Sequence, residues 1–383
     1  MKFRSHYARA LVFALALGAA SVFALAPSRA QQPQQPQTAT GQAQPQASPP
    51  AQQKPTPKPI DENTTVDDDE VYRVDTALTN VLFTAIDKDK RFVTTLKRED
   101  VRILEDGVPQ EIFTFGTQVD LPLTLAIVID TSGSEEHTLP QEKQAAREFV
   151  DAVLRPRKDE VAVVSFTGET TLEQGLTGSK ERVRAALDRV EFVPPAGYLG
   201  NGTVVGTPPI SGDNNALASS TALWDAVWVT CDEVLSESSE QTRRAIILLT
   251  DGVDTSSKMK LQDAVERAIK TDTLVFVIGV GDSFNYTGVD EGSIRKIAER
   301  TGGRAYIPRS EEDLRKAFAQ IQQELREQYL IAYSPTNKKH DGSFRKLLIE
   351  VTNPAMKDQK LKLTFRQGYF AKSDAPTTRK RRS

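Results

Sequence analysis

The chain has a single cysteine, Cys231, and only three histidines, His6, His137 and His340. One cysteine excludes an intrachain disulfide, so the fold must be held by its apolar core. So few soft donors also argue against a zinc-type site. Aromatic residues make up only 7% of the chain, and its two tryptophans, Trp224 and Trp228, lie one helical turn apart beside Cys231. All three read as packing residues, with the thiol buried and unreactive. No sign of charge dominates: four of the 49 basic residues and none of the 52 acidic ones lie in residues 1–30, so the remainder carries −7. A mildly acidic balance gives no electrostatic footprint for nucleic acid. The basic run Arg379-Lys380-Arg381-Arg382 reads as a solvated tail.

Long apolar runs are scarce too. Leu11–Leu25 spans 15 residues, short of the roughly 20 a membrane helix needs. It follows Lys2, Arg4 and Arg9 and precedes Ser28-Arg29-Ala30, the layout of a secretory signal cleaved near Ala30. The expected location is therefore periplasmic or secreted. No cysteine follows the run, which speaks against a lipid anchor, and no transmembrane segment is expected in the mature chain.

What remains divides by composition. Residues 31–62 are mostly Gln, Pro, Ala and Thr, with too little to bury to offset ordering entropy, and read as a disordered linker. Residues 70–118 carry short strand patterns: Val81–Ile86, Val101–Leu104 before the turn signal Asp106-Gly107, and Ile112–Phe115. From 121 to 325 nearly unbroken apolar runs, at Leu123–Ile129, Val161–Phe166, Ala245–Leu249 and Leu274–Val280, alternate with helical patterns near 140–154, 179–190, 220–236, 260–270, 289–300 and 311–326. Strands covered on both faces look like this, so the reading is an α/β fold with a doubly wound, mostly parallel sheet. Residues 328–371 return to strand patterns and are expected to pair with 70–118 as a small β unit; 372–383 form the tail.

Open parallel sheets bind ligands beyond the carboxyl ends of their strands, where the winding reverses. Two apolar strands end alike: Ile127-Val128-Ile129-Asp130, continuing Thr131-Ser132-Gly133-Ser134, and Ile246-Ile247-Leu248-Leu249-Thr250-Asp251-Gly252. If those strands are neighbours, Asp130 and Asp251 meet and repel, and Ser132 and Ser134 add hydroxyls from the loop that Gly133 lets turn. An all-oxygen donor set suits a hard cation, Mg2+ or else Mn2+ or Ca2+.

These residues resemble the metal-ion-dependent adhesion site of von Willebrand factor A-like domains, whose pattern is Asp-x-Ser-x-Ser, a later Thr and a later Asp. Asp130, Ser132 and Ser134 match the first part, and Asp251 the last. Ser220-Thr221-Ala222-Leu223-Trp224-Asp225-Ala226 is similar to the family's Gly-Thr-Ala-Leu-Tyr-Asp-Ala, with Ser for Gly, and nominates Thr221. The likeness spans about half the chain. Leu104–Gly107 and Gly368-Tyr369-Phe370 are similar to segments of secreted bacterial proteins that carry such a domain.

The resemblance implies that Asp130, Ser132, Ser134, Thr221 and Asp251 hold the ion and leave a position for an Asp or Glu of a protein partner. It implies binding and adhesion, not catalysis. The alternative is an envelope assembly or scaffold subunit whose metal is structural. The loop 192–219, rich in Gly, Pro and Asn, should stand beside the ion and shape partner choice. Glu135 and Glu136 read as exposed, solvated residues, rather than as a bar to an acidic partner or ligands of a second cation.

Other classes fit less well. Asp130 and Asp251 as plain helix caps would leave Ser132, Ser134 and Thr221 unexplained. A haloacid-dehalogenase-like phosphotransferase wants a second Asp two positions on, where Ser132 stands. Gly279-Val280-Gly281 is an incomplete, misplaced dinucleotide motif, and no Ser-His-Asp arrangement is visible.

Overall fold

The computed structural model describes residues 78–373, apart from 118–119, 195–219, 240, 282–283, 285–287 and 358. The expected signal segment, the Gln/Pro-rich linker, most of the 192–219 loop and the basic tail lie outside the described residues. In chain order the first strands are β1 (Thr79–Ile86), β2 (Val101–Glu105), β3 (Val108–Gln110), β4 (Ile112–Thr117) and β5 (Leu123–Asp130). Then come α1 (Leu139–Val153), β6 (Glu160–Phe166), β7 (Thr170–Thr177), α2 (Lys180–Arg189), α3 (Leu223–Val229) and β8 (Arg243–Thr250). The alternation continues with α4 (Leu261–Lys270), β9 (Thr273–Gly279), α5 (Glu291–Thr301), β10 (Ala305–Tyr306) and α6 (Glu311–Arg326). The chain closes with β11 (Tyr329–Tyr333), β12 (Phe344–Val351), α7 (Pro354–Lys357), β13 (Lys362–Phe365) and β14 (Gly368–Phe370).

Six strands form the central sheet in the order β10-β9-β8-β5-β6-β7. All neighbours are parallel except β6 and β7. Every residue of β5 is buried, and the pleat divides them between two cores. Leu125, Ile127 and Ile129 pack with Phe149 of α1, Leu187 of α2 and Ile321 of α6. Ala126 and Val128 pack with Trp224 of α3, Val265 of α4 and Ile294 of α5. Helices thus cover both faces. From β5 the chain winds outward to β6, whereas from β8 it winds the other way to β9 and β10. The reversal falls between β5 and β8, which lie side by side with Ile129 opposite Leu249.

Two four-stranded sheets make the flanking β unit, in orders β13-β1-β11-β4 and β14-β12-β2-β3. Each joins strands from before and after the α/β segment: Val81 of β1 faces Ile331 of β11, and Ile103 of β2 faces Ile349 of β12. The two sheets share one core of Phe83, Ile103, Tyr329, Ile331 and Ile349, each side chain stabilising by about 1.5–3 kcal/mol on full burial.

Local departures from the sequence pattern have visible causes. The strand β7 is half-exposed and pairs with β6 through two register shifts, so it lacks an apolar run. The strand β8 begins at Arg243-Arg244, both buried; Arg243 donates to the carbonyl of Leu325 and to Gln328, and Arg244 to the carbonyl of Leu235. The apolar stretch 361–370 is two strands, not one. Buried Arg366 donates to the Asn80 carbonyl at 2.6 Å where the chain passes from one sheet to the other. No described helix is long and apolar enough to cross a membrane.

Candidate metal centre

The carboxyl ends of β5 and β8 place Asp130 and Asp251 beside each other at the reversal point. Asp130 is fully buried. Its Oδ1 accepts from the Ser132 N–H at 2.9 Å and its Oδ2 from the Thr250 hydroxyl at 2.8 Å. Asp251 is 8% exposed, accepts from the Val253 N–H at 2.9 Å, and takes a further hydrogen bond from the Ser134 hydroxyl. Ser132 and Ser134 face each other, Oγ to Oγ 3.2 Å. Gly252 holds the turn after Asp251 at φ +84°; a Cβ there would lie 2.7 Å from Ile294 Cγ1. Four of the five residues named from the sequence are therefore linked by direct contacts.

Thr221 is the fifth, and its backbone bonds to the loop that follows Asp251. Its N–H donates to Thr255 Oγ1 at 2.8 Å, and its carbonyl accepts from the N–H groups of Thr255 and Ser256. Asp254 accepts from the Leu223 N–H at 3.0 Å, so the loop opened by Asp251 satisfies the start of α3. The neighbouring Ala222 N–H donates to the Thr167 carbonyl beyond β6, which keeps Thr221 at the same end of the sheet.

Glu135 corrects the sequence reading. It is wholly buried, not solvated, while Glu136 is half-buried. A single turn of 3-10 helix, Gly133–Glu135, brings it back under the loop, with its N–H donating to the Ser132 carbonyl at 3.0 Å. Its carboxylate, with those of Asp130 and Asp251, offers three oxygens all within 4.8 Å of one another. Thr138 Oγ1 donates to its Oε2 at 3.0 Å, whereas Oε1 has no partner. Behind it Glu142 of α1 is also buried, with Thr138 and the Glu135 carboxyl as its polar neighbours. Glu142 falls on the apolar face of α1 with Leu139, Ala146, Phe149 and Val153, so the helical spacing carries its burial. Trp224 and Cys231 are buried as read, and burial pushes the Cys231 thiol up to about 12, whereas Trp228 is half-buried under Arg267.

Four acids in one dry place cannot all be charged without compensation. Burial, then repulsion by Asp251, pushes Asp130 up to about 7. Glu135 is driven well above the carboxylate range by burial, then by Glu142, Asp130 and Asp251. Burial pushes Glu142 up to about 7 and also raises Asp251. Among the described residues, no lysine, arginine or histidine pairs with any of the four. A hard divalent cation fits such a place: the donors are all oxygen, and an orphaned buried carboxylate oxygen is ready for it.

Two models described as von Willebrand factor type A domain match, over residues 125–254 and 213–320. A curated relative, the UPF0353 protein MAV335 of Mycobacterium avium, is 23% identical over 219 residues, 52% of this chain. The chain spans 59% of the length of that relative. Among solved structures, BatB, a conserved hypothetical protein from Bacteroides thetaiotaomicron, is 19% identical with a TM-score of 0.38, covering 53% of this chain and 97% of its own. Proximal thread matrix protein 1 from the mussel byssus, with a zinc-occupied adhesion motif, is 20% identical with a TM-score of 0.42 over 58% of this chain and 49% of its own. A von Willebrand factor type A protein from Catenulispora acidiphila is 12% identical with a TM-score of 0.42, covering 79% of this chain and 76% of its own.

Proposed function

The chain carries a von Willebrand factor type A domain across residues 125–320, and from that premise we propose that it is an exported, divalent-cation-dependent protein-binding module. The observation that carries the reading is the buried trio of carboxylates at the reversal between β5 and β8, with no positive side chain among the described residues to compensate it. Asp130, Ser132, Ser134, Thr221 and Asp251 are the proposed ligands, for Mg2+ or alternatively Mn2+ or Ca2+. When bound, the ion supplies Lewis acidity toward an Asp or Glu carboxylate of a protein partner.

The chain's own residues do the rest. Thr250 and the Ser132 N–H hold Asp130 in place, and Val253 and Ser134 hold Asp251, so the chain's own hydrogen bonds orient the donors. Burial of Asp130 keeps competing water away and strengthens the attraction at short range. The donor set contains hydroxyls and carboxylates but no histidine or cysteine, which supports a hard cation over a soft one. Export rests on the basic start and 15-residue apolar run of the sequence.

Calorimetric titration of the purified chain with Mg2+, Mn2+, Ca2+ and Zn2+, beside Asp251→Ala, tests the metal. Wild type is expected to take up one hard ion, and Asp251→Ala to lose it by about tenfold or more. Pull-down from an envelope extract with and without chelator then tests binding. Capture that needs both the ion and Asp251 supports the module. A metal that raises the melting temperature yet never alters the captured partners favours the structural-metal scaffold.

A further inference from the structure

The proposed ligands number five, and a sixth oxygen stands beside them. Glu135 follows Ser134 directly, and its carboxylate lies within 4.8 Å of those of Asp130 and Asp251. It is fully buried. Thr138 fixes one of its oxygens at 3.0 Å, and the other has no hydrogen-bond partner. From behind, buried Glu142 adds a further acid, and no positive group compensates Glu135 from α1. An acid with one oxygen pinned, the other idle and two acids alongside is arranged as a ligand.

We propose that Glu135 is an internal sixth ligand of the cation, filling the position that a partner's acid would otherwise take. The inference rests on the metal-binding reading above. A small hard cation such as Mg2+ takes about six oxygen donors, waters among them, and Glu135 adds a third carboxylate to the proposed set of Asp130, Ser132, Ser134, Thr221 and Asp251. Three carboxylates outweigh a doubly charged ion by one unit, so the filled site repels a further acid. With Glu135 withdrawn, two carboxylates balance the ion and a neutral site with a free position remains. A partner's acid must then compete with a tethered carboxylate whose effective concentration is high. The domain is self-capped, and Glu135 sets the threshold for engagement.

Mn2+ alone is the probe, titrated into the purified full chain by calorimetry, with water-proton relaxation counting the exchangeable waters on the bound ion. Glu135→Gln keeps the size of the side chain and removes its charge. It is expected to weaken Mn2+ binding by about tenfold or more, and Glu135→Met, which offers no oxygen at all, is expected to add one exchangeable water. Weaker binding with an unchanged water count in Glu135→Met overturns the inference, because a merely structural role has that result. Unchanged affinity and hydration in Glu135→Gln, with uptake lost in Asp251→Ala, overturns it too and leaves the metal site standing. No uptake by wild type removes the metal reading itself. Glu135→Met guards against misfolding: it replaces a buried acid with an apolar chain of like length, so its metal-free melting temperature should equal or exceed that of wild type. If it also binds Mn2+ as tightly as wild type does, Glu135 is not a ligand.

Discussion

Asp130 is the residue on which the electrostatics turn. Without a divalent ion, Asp130 and Glu142 are each pushed up to about 7 by burial. In the unfolded chain both ionise near the ordinary carboxylate value of about 4. Between about pH 4 and about pH 7 the folded state keeps protons that the unfolded state has released. Their stabilising contribution is therefore full below about pH 4 and is lost as pH rises through about 7. The chelated chain should lose melting temperature from about pH 5 to about pH 8, and Asp130→Asn should lose less over the same range. Mg2+ should restore wild type more at the higher pH, since the ion competes with protons for the same oxygens. Identical pH slopes for wild type and Asp130→Asn under chelation would speak against this account.

Among the elements, α6 governs how the sheet meets the β unit. Its Glu324 is buried and accepts from Arg304 at 2.9 Å, from Tyr306 at 3.1 Å and from Thr84 of β1 at 3.0 Å. The carbonyl of Leu325 accepts from Arg243 of β8. One helix is thereby tied to two strands of the central sheet and to the neighbouring sandwich. Removing Glu324 leaves Arg304, only 21% exposed, without its counter-charge. Glu324→Ala should cost about 3–5 kcal/mol of unfolding free energy, read from urea denaturation. A loss under about 1 kcal/mol would mean that the network behaves as a surface ion pair. Because α6 runs straight into β11, which lies between β1 and β4, any shift of α6 must be passed to the sandwich.

For the whole molecule, the decisive fact is that the two ends of the chain build one β unit. The strand β11 separates β1 from β4, and β12 separates β2 from β14. Ending the chain after Arg326 removes both of these inner strands. Limited proteolysis of that truncated form should cut within 78–117 while sparing the α/β segment, whose two cores involve neither sheet's inner strands. Protection of 78–117 in the truncated chain would show that β1–β4 hold together alone, against the expectation for unpaired strands of a split sheet.

The fold class was legible from residues alone because fully buried strands must be continuously apolar, and amphipathic helices must cover them. Asp130, Ser132, Ser134 and Asp251 stood out because strand ends with polar loops interrupt that pattern. Periodicity could not reveal β7, whose half-exposed residues carry no apolar run, or the start of β8, where two buried arginines look like surface residues. Nor could it place Glu135, a charge whose burial depends on one 3-10 turn folding it under its own loop. Sequence determines which residues must leave water. Tertiary structure decides which buried groups meet, because contacts such as Glu135 with Asp251 join separate elements whose approach no local pattern encodes.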